Sequence, residues 1–320
     1  MRPGTCHYRD TVTGKRDLSF VALLVTVVLW ASAFVGIRAL GDTFSPGPLS
    51  LGRLLVGATV LTAIARPRLD RVPRGRPLLL VVAYGVVWFG AYNVALNAGE
   101  RHLDAGTAAL LVNIGPILVA LFAGLLLHEG FPRPLVAGMA IAFVGVAIIA
   151  ISSQHDTTAV ETASTTGVLL CTLAAVFYAV GALAQKPALA HVAPAMSVWL
   201  GCVVGAVVCL PFAPGLVREL GAASASDVAW LVYLGVFPTA IGFTTWSYAL
   251  QRISTGQAAS TTYLVPVVAA LVSWVVLDEV PAVLATVGGV VCLVGVAITR
   301  WRQRPPSTTV PAPADGSPAR

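Results

Sequence analysis

Charge is scarce in this sequence. Only 11% of its 320 residues are Asp, Glu, Lys or Arg, against about 25% in ordinary soluble domains. A soluble fold of this length needs a polar skin, and there is too little material here to make one. Catalytic and energy-coupling signatures are missing as well. No Gly-x-x-x-x-Gly-Lys-Ser/Thr occurs, which excludes an ATP-driven motor on this chain. No Gly-x-Ser-x-Gly elbow is present, and no paired aspartates suit a prenyl-diphosphate metal site. The five cysteines carry no framework: Cys6 lies in a polar stretch, Cys171, Cys202, Cys209 and Cys292 lie in apolar runs, and no Cys/His spacing suits a metal. They read as small buried hydrophobes. No cofactor is expected.

The net charge of +6 raises the question of a nucleic-acid partner, and its distribution answers no. Arg66, Arg68, Arg71, Arg74 and Arg76 share one short hydrophilic gap; Arg2, Arg9, Lys15 and Arg16 precede the first apolar run; Arg300, Arg302, Arg304 and Arg320 follow the last. Cytoplasmic loops retain Lys and Arg in this way. With the amino terminus inside, cytoplasmic segments hold sixteen Lys or Arg and outer loops only Arg101 and Arg218. Both termini are therefore expected in the cytoplasm. Two lysines beside eighteen arginines, with abundant Ala, Val and Gly, point to a GC-rich bacterial genome.

What is abundant is apolar. Residues of the hydrophobic class make up 57% of the chain, and a bilayer core of about 30 Å needs about 20 helical residues to cross it. Ten runs of that order are present: 18–39, 47–65, 77–99, 104–127, 134–151, 166–185, 195–213, 227–250, 256–277 and 281–300. The first is too long for the core of a signal peptide and is expected to be retained. The gaps are short and hold breakers such as Ser45-Pro-Gly-Pro48, Arg133-Pro134 and Val280-Pro281. The polar, Pro-rich tail is expected to be disordered.

The chain also contains itself twice. Pro116-Ile-Leu-Val-Ala-Leu-Phe-Ala-Gly-Leu-Leu-Leu-His-Glu129 recurs 150 residues later as Pro266-Val-Val-Ala-Ala-Leu-Val-Ser-Trp-Val-Val-Leu-Asp-Glu279. The same offset pairs Gly85 with Gly235, Gly106 with Gly256, Gly138 with Gly288 and Val144-Gly-Val-Ala-Ile148 with Val294-Gly-Val-Ala-Ile298. Each copy holds five spans. An odd number starts the second copy on the opposite side, so the repeats are inverted, and an inverted pair places its site at the interface of the halves. The expected organisation is a cytoplasmic tail (1–17), a first repeat (18–151), an external linker (152–165), a second repeat (166–300) and a cytoplasmic tail (301–320).

The two Pro-to-Glu blocks, the Trp30-Ala31…Arg38 stretch with its counterpart Tyr178-Ala179…Lys186, and the Gly-Val-Ala-Ile endings of spans five and ten carry a resemblance. The chain resembles the EamA family of the drug/metabolite transporter superfamily over residues 18 to 300. The resemblance implies an all-α membrane protein of ten transmembrane helices, with a central cavity, moving small organic solutes across the inner membrane. It leaves the solute open.

Within the spans, a few polar and aromatic residues stand out. Arg53, seven residues into its run, must face protein or water; it binds a substrate carboxylate or phosphate, or bonds loop carbonyls. Trp88 and Tyr92 share one face of span three, and Asn93 and Asn97 another. Asn113 precedes Pro116 by one turn. Trp30, Tyr178, Trp246 and Tyr263 complete a set suited to a cavity with apolar walls and a few orienting polar groups; interhelical bonding and an interfacial aromatic belt are the competing account. Glu129 and Glu279 end spans four and nine and read as end markers or coupling groups, as does Lys186, whose long stem also allows snorkelling. Pro116 and Pro266 should kink their helices and free carbonyls toward the site.

The function these features favour is a secondary transporter, an exporter of amino acids or related metabolites working by alternating access. Its partners are a small-molecule solute, membrane lipids and, if coupled, protons; monomer and homodimer stay open. Multidrug efflux or uptake on the same fold is the near alternative. A membrane enzyme and a non-transporting receptor are the alternatives of another class. Cargo determinants are expected where the halves differ, as at Asn113 and its counterpart Tyr263.

Overall fold

The computed structural model describes residues 17–41, 43–68, 70, 72–102, 111–128, 130–154, 165–265, 267–268 and 283–300, all helix, turn or coil. Among the described residues ten helical elements follow in order: α1 (Ser19–Leu40), α2 (Pro46–Ala65), α3 (Arg76–Gly99), α4 (Gly115–Leu126), α5 (Arg133–Gln154), α6 (Thr165–Ala188), α7 (Pro194–Ala222), α8 (Ala225–Leu250), α9 (Thr255–Thr261) and α10 (Val283–Arg300). Five of these, α2, α3, α6, α7 and α8, are long and apolar enough to cross a membrane. Glu129, Pro266 and Glu279 lie outside the described residues.

Local chemistry sets the helix ends. Proline opens α2 and α7 and stands second in α3, where a missing N–H costs nothing. Ser224 and Asp227 close a capping box on α8, and Ser254 accepts the Gln257 N–H at the start of α9. One expected boundary moves. The seventh span runs on past 213 to Ala222, because Pro211 and Pro214 sit in the first turns of a 3₁₀ turn and a new helical segment rather than ending the run. That extension folds back on α2: Glu219 accepts from the Ser45 N–H at 3.0 Å and the Ser45 hydroxyl at 2.7 Å.

Two features were not legible as periodicity. The middle of α3 (Gly85–Tyr92) and of α8 (Gly235–Gly242) winds as π-helix, at positions 150 residues apart. A π segment widens the helix by one residue and leaves backbone groups to be re-satisfied. In α3, Asn93 Nδ2 donates to the Phe89 carbonyl at 2.8 Å and the Trp88 carbonyl at 3.3 Å. In α8 the Thr239 hydroxyl does the same for Leu234 at 2.8 Å.

The main packing pairs are related by the repeat. Helix α3 lies on α6 and α7, as α8 lies on α1 and α2; α2 meets α7, α4 meets α9, and α5 meets α10. The α5–α10 pair shows the symmetry at atomic scale. A Cβ on Gly145 would stand 2.5 Å from Cys292 N and 2.6 Å from Gly288 O, while one on Gly295 would meet Ala142 N and stand 2.6 Å from Gly138 O. Those neighbours are related by the same 150-residue shift. Small residues let the two backbones touch, the packing that serves where lipid gives no hydrophobic drive.

Candidate functional site

A cavity of about 90 Å³ opens between the two halves. A single water needs roughly 10–15 Å³ of such space, so there is room for a small solute. The first half contributes Trp30, Arg53, Trp88, Tyr92, Asn93, Asn113 and Pro116 to its wall; Tyr178, Phe243, Thr262 and Val265 come from the second.

Six of the sixteen residues on the wall are aromatic. Trp30 stands 5.1 Å from Phe243 and 6.4 Å from Trp88, between ring centres. Trp88 meets Tyr178 at 5.4 Å and Phe243 at 5.2 Å, both edge-on. The edge-to-face and tilted contacts are the geometries that favour the ring quadrupoles. They also lock the rings, so the pocket is pre-formed rather than collapsed.

Among the described residues Arg53 is the one cation on this wall, and it is only 4% exposed. Among the described residues its sole hydrogen bond runs from Nε to the Thr239 hydroxyl at 3.1 Å. Thr239 in turn donates to the Leu234 carbonyl just before the α8 π segment, so a first-half cation is anchored to a second-half helix. Arg53 makes no salt bridge to a described carboxylate; Glu100, at the end of α3, acts on it only through space. No described loop carbonyl accepts a hydrogen bond from Arg53.

At Pro116 the expected kink takes the form of a break. Helix α4 is broken at Asn113–Ile114, and Pro116 is the second residue of the segment that resumes. The ring of a proline clashes with the carbonyl four residues back, here Val112, which kinks or breaks a helix. The second half breaks at the matching place, Thr262–Tyr263, just before position 266. Both breaks border the cavity through Asn113 and Thr262.

Trp246 and Tyr263 are fully buried behind the wall rather than on it. Trp246 backs the cavity by packing on Trp30 at 5.3 Å and Trp88 at 5.9 Å. The Tyr263 carbonyl accepts a hydrogen bond from the Cys292 thiol at 2.9 Å, so this cysteine repairs a broken helix. Lys186 is a clamp: its ammonium donates to the Leu250 and Ile253 carbonyls where α8 ends, a favourable place for a cation. Beside it Gln251 Nε2 donates to the Leu189 carbonyl at 2.7 Å, and at the opposite end Arg101 does the same to Gly41 at 3.2 Å.

Sequence reading missed Phe243, Phe34 and Thr239. The repeat itself was the signal for one of them, because Phe243 stands 150 residues after Asn93 and both reach the wall.

Comparison with known proteins gives a consistent result. The signature of the family described as "EamA-like transporter family" matches residues 18–151 and 165–301. A protein of Streptantibioticus cattleyicolor named "Probable terminal-alkyne amino-acid exporter" is 39% identical over 90% of this chain and 96% of its own. The "Uncharacterized transporter YdfC" of Bacillus subtilis is 33% identical over 85% and 87%. A "Probable amino-acid metabolite efflux pump" of Salmonella typhimurium is 28% identical over 88% and 94%. A crystal structure matches with a TM-score of 0.72 at 18% identity, over 88% of this chain and 96% of that one, which shows the fold.

Proposed function

The chain belongs to the EamA-like transporter family, and on that premise we propose that it exports amino acids or closely related metabolites by alternating access. The observation that carries this reading is the cavity between the two repeat-related halves, lined by aromatic and aliphatic side chains and a few fixed polar groups. A site placed there belongs to neither face, so rocking one half against the other exposes it to each in turn. The names of the relatives support an amino-acid-like cargo. The protein works as a multi-pass protein of the bacterial inner membrane with both termini in the cytoplasm, as the basic gaps imply, and it is no enzyme. The cargo moves down its own gradient or is driven by the proton gradient.

Purified protein in liposomes preloaded with an amino-acid mixture tests this. Labelled solutes of that mixture should exchange across the membrane well above the rate in protein-free liposomes, with or without a pH gradient imposed. Equal rates for every solute tested would overturn the reading.

A further inference from the structure

Two polar groups on the cavity wall have unused capacity of opposite kind. Arg53 spends Nε on Thr239, and no described residue accepts from the rest of its guanidinium. A nearly buried cation is costly unless an anion meets it, and a guanidinium fork fits a carboxylate with two parallel bonds. Asn93, 3% exposed, spends its amide nitrogen on the Phe89 and Trp88 carbonyls. A carbonyl only accepts, so those two bonds fix which end of the amide is nitrogen. Its Oδ1 takes no hydrogen bond from a described residue and is left as an acceptor on the wall.

We infer that Arg53 and Asn93 read the two charges of a zwitterion: Arg53 binds the carboxylate, and Asn93 Oδ1 accepts from the ammonium of an α-amino acid. The side chain then lies among Trp30, Trp88, Tyr178 and Phe243, which suits a short apolar or unsaturated group. Tying Arg53 to Thr239 gives the carboxylate a hold on both halves of the molecule at once. This assignment rests on the transport reading above and names the part of the solute that the site recognises.

Uptake of labelled L-norvaline into proteoliposomes, with unlabelled competitors, separates the charges. Norvalinamide lacks the carboxylate and pentanoate lacks the ammonium, at nearly the same size. A hydrogen bond to a charged group is worth about 1.5–3 kcal/mol, so each should compete roughly ten- to a hundredfold more weakly than L-norvaline. In Arg53→Met the preference for norvaline over norvalinamide should collapse, and in Asn93→Leu the preference over pentanoate. Arg53→Lys should keep part of the first. A purely structural role would change rates and leave these ratios alone. Equal competition by norvaline and norvalinamide in the wild-type protein overturns the inference and leaves transport standing. So does passage of other solutes without norvaline. Passage of nothing overturns both. If Arg53→Met does not fold, the wild-type ratios and Arg53→Lys decide.

Discussion

The α5–α10 seam and the cavity wall are both made by the two halves meeting, yet they use the repeat in opposite ways. At the seam, each half offers the same small residues to the other, and Gly145 and Gly295 face shifted copies of one environment. On the wall, mirror positions hold different chemistry. Trp30 faces the cavity opposite its counterpart Tyr178, Asn93 is answered by Phe243, and Val112 by Thr262. Arg53 is the extreme case. Counted from the prolines that open α2 and α7, its counterpart is Gly201, which leaves room for the Phe89 ring instead. Backbone-to-backbone packing tolerates only the smallest side chains, so duplication is preserved there. A binding wall has no such constraint, and a solute with unlike ends needs unlike groups.

The seam should break first. Gly145→Val and Gly295→Val each drive a side chain into backbone that cannot yield, at a cost of about 3 kcal/mol or more. Both should lose the monodisperse peak in size-exclusion chromatography, and to the same degree; unequal losses would show that the seam is not symmetric. Pro116→Ala acts on the wall. It removes the clash that breaks α4 and should raise or hold the melting temperature while cutting transport several-fold. Unchanged transport would show that the break is not part of the site.

Cys292→Ala tests the thiol bond at the second-half break. Losing the thiol's bond to the Tyr263 carbonyl should cost about 1 kcal/mol, read by thermal unfolding in detergent. The smallest effect belongs to the first turn of α1. Hydrogen bonds from the Ser19 hydroxyl and N–H hold the Asp17 carboxyl below its ordinary value. A lowered folded value means that Asp17 stabilises the protein at neutral pH and loses that contribution as pH falls through the lowered value. Asp17→Asn should therefore melt slightly earlier at pH 7, and the gap should close in strong acid.

Much of this was legible in the sequence because membrane insertion makes hydropathy and length so demanding. The repeat offset placed Pro116, and the buried charge of Arg53 announced itself by position alone. The π segments were not legible, since an extra residue inside an apolar run disturbs no periodicity that composition records. Nor did helix register reveal that Trp246 sits behind the wall while Phe243, three residues earlier, lines it. Both residues are apolar, and only the packing of α1 against α8 separates them. The end of α7 was misplaced because prolines that begin a helical segment look the same in sequence as prolines that end one.

The central claim is that one cavity serves both faces. Ala33 lies on its wall, and Ala33→Cys can be probed with a membrane-impermeant thiol reagent added to either side of oriented proteoliposomes, against the parent protein as background. Labelling should occur from both sides, and L-norvaline should slow it from both. Labelling from a single side under every condition, or labelling that solute never slows, would contradict the account.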